Sequence, residues 1–139
     1  MIRYCILLIS FSAAFIAPKT TQAQDQILGI FWTPKKDGKI ELFRVGQTYF
    51  GKLIWGKANK KDLQNPNPAL RNRELVGTMI LFDFKYDDGE WSGGKIYDPE
   101  SGKTYSCKIW LEQSGRILKA KGYIGISVFG RTETFERVQ

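Results

Sequence analysis

A two-residue rhythm, cut at short intervals by turn-forming pairs, constrains this chain most. Apolar and polar side chains alternate through residues 27–33, 39–45, 48–55, 75–86, 90–97, 103–112, 116–123 and 127–138. Alternation of this kind places successive side chains on opposite faces of a strand. Turn signals separate most of the segments: Asp37-Gly38, Val45-Gly46, Asp88-Gly89, Asp98-Pro99-Glu100-Ser101-Gly102, Ser114-Gly115 and Gly125. Asp-Gly and Ser-Gly supply the positive φ that tight hairpins require. Eight strands joined mostly by short hairpins read as an all-β, antiparallel meander. A small open meander exposes two edge strands, so closure into an up-and-down β-barrel is the expected architecture.

The two faces of several strands can be assigned. Tyr105, Cys107, Ile109 and Leu111 share one face, opposite Thr104, Ser106, Lys108, Trp110 and Glu112. Leu118, Ala120, Gly122 and Ile124 oppose Lys119 and Lys121. Phe82, Phe84 and Tyr86 are expected on one face, with Asp83 and Lys85 on the other. Lysines on the outward faces argue against a membrane-spanning barrel, whose outer surface must be apolar. Gly93, Gly94, Gly122, Gly125 and Gly130 interrupt strand patterns. They mark bends or bulges, and Gly93, Gly94, Gly122 and Gly130 are candidate gaps in a barrel interior.

The N-terminal region reads differently. Arg3 precedes an apolar run over residues 6–17, followed by Pro18-Lys19-Thr20-Thr21-Gln22-Ala23. This is the layout of a secretory signal, with Thr21 and Ala23 at the −3 and −1 positions. The run is shorter than the roughly 20 residues of a membrane span. Cys5 lies before it, where lipoprotein acylation does not occur. The expected organisation is a signal peptide over 1–23 and one barrel domain over 24–139, periplasmic or otherwise exported, with no transmembrane segment after cleavage. Loss of Arg3 and Lys19 takes the formal charge from +7 to +5. Export argues against nucleic acid as the partner of this basic surface.

The sequence has no histidine. That removes Ser-His-Asp and Cys-His catalysis, histidine metal sites and histidine pH switches. Cys107 is the one cysteine of the mature chain, and its inward position reads as a buried apolar thiol. Asp98 and Glu100 share one tight turn, a poor arrangement for two carboxylates that must face each other across a substrate. Asp98 before Pro99 reads as a turn cap. The run Asp87-Asp88-Gly89-Glu90 lacks calcium-loop spacing and reads as a hairpin. No catalytic residue, cofactor or metal is expected.

One connection breaks the rhythm. Residues 56–74 contain Lys57, Lys60, Lys61, the pairs Asn65-Pro66 and Asn67-Pro68, and Ala69-Leu70-Arg71-Asn72-Arg73. Each Asn-Pro pair forbids a ladder locally, and 69–73 could hold one helical turn. A structured connection of this length in a small barrel is either a lid or a plug at one end.

The blocks Ile27-Leu28-Gly29, Lys36-Asp37-Gly38-Lys39-Ile40-Glu41-Leu42-Phe43, Gly51-Lys52-Leu53-Ile54-Trp55, Asn65 through Arg73, Gly89 through Pro99, Gly122-Tyr123 and Gly130-Arg131-Thr132 occur in an order that resembles the DUF2147 family of exported bacterial proteins. The resemblance covers nearly the whole mature chain. It implies a lipocalin-like (calycin) barrel that holds a small apolar ligand. The chain departs from the pattern at Phe31, where the family places tryptophan, and at Phe135-Glu136-Arg137, where it favours Trp-Thr-Arg. In lipocalins that tryptophan packs under a late arginine and closes the barrel floor. Here Phe31 would meet Arg131 or Arg137, with a weaker cation–π contact than tryptophan offers.

Two functions follow as expectations. One is a non-enzymatic binding module for a small hydrophobic or amphipathic ligand. Its candidate contacts are Leu70, Arg71 and Arg73 on the long connection, Tyr97, Tyr105 and Tyr123 on the walls, and Arg131 at the mouth. The alternative is a structural or interaction protein of the envelope, with a packed barrel and a functional surface.

Overall fold

The computed structural model describes residues 19–126 and 130–139. A short helix α1 (Lys19–Gln24) and a 3-10 turn (Asp25–Ile27) lead into eight strands. These are β1 (Gly29–Trp32), β2 (Gly38–Val45), β3 (Thr48–Gly56), β4 (Met79–Asp87), β5 (Glu90–Asp98), β6 (Lys103–Glu112), β7 (Ile117–Tyr123) and β8 (Arg131–Arg137). Each pairs antiparallel with the next, and β8 returns to β1 through Phe31↔Arg137 and Trp32↔Glu136, so the barrel is closed. Most of the expected signal segment, and residues 127–129 of the last expected strand, lie outside the described residues. No helix among the described residues is long and apolar enough to cross a membrane.

The turns follow from their residues. Asp88 (φ 45°) and Gly89 (φ 88°) both take positive φ between β4 and β5, as a type I′ hairpin demands. Between β5 and β6, Asp98 accepts hydrogen bonds from Glu100 N at 3.0 Å and from Ser101 Oγ at 2.7 Å. Asp98 thus caps its own turn.

The expected faces hold along β6 and β7, where Cys107, Ile109, Leu118 and Ala120 are buried, but Ile124, expected on the inward face, lies beyond the end of β7 and is exposed. On β4 they need correction. Leu81 and Phe84 are both fully buried, while Phe82 lies opposite Lys95 and is only partly buried. Asp83 sits between them at φ 66°. A left-handed residue, tolerable for aspartate, absorbs one position and shifts the alternation as a bulge does. The expected strand 75–86 is also shortened at its start. Gly77, at φ 95°, donates to Leu53 O at 2.6 Å, and Thr78 N closes a turn on Leu75 O at 2.9 Å.

The barrel has two unlike ends. The end bearing the β2–β3, β4–β5 and β6–β7 turns is filled. Tyr49, Phe84, Trp91, Phe31 and Ile27 are all buried there, with Tyr49 and Trp91 edge to face at 6.2 Å between ring centres. The segment just before β1 closes this floor. Asp25 accepts from Tyr49 Oη at 3.0 Å and pairs with Arg44 at 3.3 Å, and Gln24 O accepts from Trp91 Nε1 at 3.2 Å. The other end is open and is described next.

Candidate functional site

The connections β1–β2, β3–β4, β5–β6 and β7–β8 surround the mouth of a cavity of ≈ 1490 Å³, a volume that includes the funnel between them. Its walls are mainly aliphatic: Ile40, Leu53, Ile80, Ile96 and Ala120, with Phe135. Tyr97, Tyr105 and Tyr123 also border it, and Lys35, Lys57, Lys60, Lys61 and Arg131 stand on the rim. Small ligands are usually held in apolar concavities of about 300–1,000 Å³ with a few polar groups placed to orient them. The strand alternation produces this lining directly, since every second side chain of a closed barrel points inward.

The long β3–β4 connection borders this mouth and is held by a buried carboxylate. Asp62 is fully buried. Its Oδ1 accepts from the Tyr97 hydroxyl on β5. Its Oδ2 accepts from Asn65 Nδ2 at 2.8 Å, from Arg73 Nε at 2.9 Å and from Arg73 Nη2 at 2.8 Å. Burial alone would push the Asp62 carboxyl up. The hydrogen bonds from Tyr97, Asn65 and Arg73, with the Arg73 charge, outweigh it and hold the group below the usual aspartate value. Burial first, then the hydrogen bond to Asp62, pushes the Tyr97 hydroxyl up to about 12. The connection also runs against the β5–β6 turn. A Cβ placed on Gly102, at φ 72°, would lie 1.8 Å from the Gln64 carbonyl oxygen.

These contacts sort the candidate residues. Tyr97, Tyr105, Tyr123 and Arg131 all border the cavity. Leu70, Arg71 and Arg73 are not among its lining residues. Leu70 ends a single 3-10 turn, Pro68–Leu70, capped by the Asn67 side chain, which accepts from Ala69 N at 3.1 Å. Arg71 donates to Asn65 O at 2.8 Å, and Arg73 serves Asp62. Both guanidinium groups thus brace the connection from within. Arg131 pairs with Glu133 at 2.8 Å and is largely exposed.

Asp62, Asn65, Gln64 and the aliphatic wall were not singled out from sequence. The Asn-Pro pairs did signal a structured connection, and the inward stripes did signal the wall. Nothing local signals that Asp62 meets Tyr97, 35 residues away.

The glycines behave differently from the expected gaps. A Cβ on Gly94 would meet the Phe84 ring at 2.5 Å, so its missing side chain is filled by that ring. Gly130 lies against Gly122 O, which a Cβ would approach to 2.4 Å. Gly93 has φ 71° and open space, at the register shift between Trp91 and Gly94. Of the four, Gly122 and Gly130 border the cavity.

Cys107 is fully buried in the core, and desolvation pushes its thiol up to about 12. A thiolate nucleophile requires the opposite shift. Glu100, the other turn carboxylate, pairs with Lys35 across the mouth at 2.7 Å.

At the floor, the Phe31 question has a definite answer. The Arg137 guanidinium carbon lies 4.4 Å from the Phe31 ring centre. Its nitrogens donate to Gly115 O at 2.8 Å, Leu28 O at 2.8 Å and Gln26 O at 2.6 Å. Gly29, at φ 137°, lies directly beside it, and a Cβ there would stand 2.5 Å from Arg137 Nη1, so the guanidinium would have to shift.

The model of a family described as "Uncharacterized protein conserved in bacteria (DUF2147)" matches residues 29–137, the entire barrel. The chain belongs to the DUF2147 family. The match begins at Gly29 and ends at Arg137, the two residues that meet at the floor. Phe31 and Arg137, which stack at the floor, both lie within the matched span. A solved structure, protein HP1028 from Helicobacter pylori, described as belonging to the lipocalin family, is similar with a TM-score of 0.72. It is 29% identical, over 81% of this chain and 83% of that one. The DUF2147 barrel is therefore lipocalin-like. No curated protein matches the sequence.

Proposed function

We propose that this DUF2147 protein is an exported, non-enzymatic binding module whose barrel takes up a small hydrophobic or amphipathic ligand. The observation that carries the reading is the mainly aliphatic cavity of ≈ 1490 Å³ that opens at the mouth of a barrel whose floor is packed with buried rings. A tail would lie against Ile40, Leu53, Ile80 and Ile96, and a polar head would remain among the tyrosines and rim cations. Each buried methylene contributes roughly 0.8 kcal/mol. A chain of about eight carbons then reaches micromolar affinity after the costs of association. The signal-like N-terminus supports the exported part of the reading. The missing histidine and the raised Cys107 thiol support the non-enzymatic part.

The test is titration with medium-chain amphipaths, read by tryptophan fluorescence. Saturable quenching is expected, and Ile96→Trp, which narrows the cavity at its wall, should weaken binding by roughly tenfold or more. If a broad panel of lipids and apolar dyes gives no saturable signal, the envelope interaction-protein reading replaces this one.

A further inference from the structure

The exposed apolar side chains are not scattered. Among the described residues, Trp55, Leu63, Val76, Ile124 and Ile126 are exposed at the mouth end, while only Ile30 and Val45 are exposed elsewhere. Leu63 is 65% exposed and Ile124 is 79% exposed, on two connections that face each other across the opening. Trp55, the penultimate residue of β3, packs edge to face with Trp32 at 5.9 Å between ring centres. Lys39 Nζ lies 4.5 Å from the Trp32 ring centre and 5.5 Å from that of Trp55. Isolated surface apolar residues need no explanation, but a cluster rimmed by charge marks an interaction site.

The charge is segregated as well. The β3–β4 connection carries Lys57, Lys60, Lys61, Arg71 and Arg73 against Asp62 and Glu74. The three connections at the floor end hold one Asp88 and one Arg116 between them. Apart from Glu74, which is exposed and lies opposite Lys61 in an isolated bridge, the mouth carboxylates are engaged within the molecule. Glu100 pairs with Lys35, Asp37 with Lys60 at 3.9 Å, Glu133 with Arg131, and Asp98 with its own turn. Among the described residues Lys57 makes no ion pair, and Lys61 only donates a hydrogen bond to Asn72 Oδ1 at 2.6 Å. Tryptophan and aliphatic tips beside lysines are the composition that settles at a membrane interface, apolar groups in the headgroup boundary and ammonium groups on phosphate.

We propose that the open end of the barrel docks on an anionic lipid surface. Trp55, Leu63, Val76 and Ile124 enter the headgroup boundary, and Lys57, Lys60 and Lys61 meet lipid phosphates. The inference rests on the reading of the barrel as an amphipath-binding module, since docking in this orientation lets a lipid chain pass into the cavity without crossing water.

Vesicle flotation tests it, with the full chain and two lipid compositions: phosphatidylcholine alone, and phosphatidylcholine with phosphatidylglycerol. Binding to the anionic vesicles is expected, weakening as salt rises. The triple variant Lys57→Glu, Lys60→Glu, Lys61→Glu and the double variant Leu63→Asp, Ile124→Asp should each lose roughly tenfold or more in affinity. Val45→Asp, 62% exposed at the floor end, is the matched control and should lose nothing. All these side chains are exposed, and near-ultraviolet circular dichroism verifies that each variant is folded. Equal binding to both compositions, mouth variants that bind like the parent, or an equal loss in Val45→Asp would each overturn the proposal. The last two outcomes also expose any binding through the apolar N-terminal run. Amphipath titration in vesicle-free solution separates the two readings. Saturable binding there without flotation sinks the docking surface alone. Flotation without saturable binding sinks the cavity reading alone.

Discussion

The two ends of this barrel are built from the same strands and solve opposite problems. At the floor, large rings interlock and glycine makes room for them, as Gly94 does for Phe84. At the mouth, the inward positions are mainly aliphatic, and Gly122 faces the Ile96 and Tyr105 side chains rather than a large buried ring. Order at the floor comes from close packing. Order at the mouth comes from polar ties: Asp62 with Tyr97 and Arg73, and Lys35 with Glu100. A barrel closed by packing at one end and by hydrogen bonds at the other can keep its fold while its open half adapts. Substitutions at the two ends should therefore separate stability from binding.

The sharpest separation is expected between Phe84→Ala and Ile96→Ala. Phe84 is fully buried, and its loss should cost about 3–5 kcal/mol through the cavity it leaves. Ile96 is partly exposed to the open cavity, so its truncation should cost about 1 kcal/mol. Urea denaturation measures both. Amphipath titration should show the reverse ranking, with the Ile96 variant more affected. Equal stability losses would mean that the mouth half is packed as tightly as the floor.

Next in size is Asp62→Ala. It strips the acceptor from Tyr97, Asn65 and Arg73 together. Breaking one side of a buried charged network costs about 3–5 kcal/mol, and the partial exposure of Arg73 places this case near 3 kcal/mol. The sign of its pH dependence follows from the lowered pKa. The Asp62 contribution is complete above the unfolded aspartate value of about 3.9 and is lost as pH falls through the lower folded value. Hydrogen exchange should show the β3–β4 connection opening first in this variant, while amides of the floor stay protected. Uniform loss of protection would contradict the division into two ends.

The same division explains what could be read in advance. Hairpins such as Asp88-Gly89 and Asp98 through Gly102 depend on neighbours in sequence, so their chemistry is visible in the residues. Strand order and closure follow from those hairpins. The Asp83 irregularity is invisible because aspartate fits many backbone states, and only the packing of Leu81 with Phe84 selects the left-handed one. The role of Arg73 was missed for a related reason. A cation beside an opening resembles a ligand contact until its carboxylate partner, 11 residues earlier, is placed. Arg137 is one of two options in sequence because Arg131 lies on the same last strand. The choice depends on strand register, which sets Arg137 against Phe31.

A smaller effect tests that floor contact. Arg137→Lys keeps the charge but cannot serve Gly115, Leu28 and Gln26 with one planar fork. Leaving a half-buried carbonyl unpaired costs roughly 1–3 kcal/mol, and water reaching this edge favours the low end. Thermal unfolding should show a modest loss with amphipath affinity unchanged. A selective loss of affinity would show that the floor and the cavity are coupled.

The smallest predicted effect concerns Cys107 and separates a core thiol from a reactive one. Burial raises its folded pKa to about 12, against an ordinary value of 9.0. Above pH 9 the unfolded chain releases this proton and the folded chain keeps it, so stability falls as pH rises from 9 towards 12. Between pH 9 and pH 10 the Cys107 share of that loss is about 1 kcal/mol. Tyr97, also raised to about 12, adds a loss that begins one unit higher, because tyrosine ionises near 10 in the unfolded chain. Urea denaturation of the parent and of Cys107→Ala at pH 8, 9 and 10 isolates the thiol term. The variant should be less stable at pH 8, by roughly 1 kcal/mol for the lost sulfur, and the gap should close by pH 10. A gap that stays constant would mean that the thiol ionises alike in both states, and rapid native labelling at neutral pH would then place Cys107 in contact with water rather than in the core.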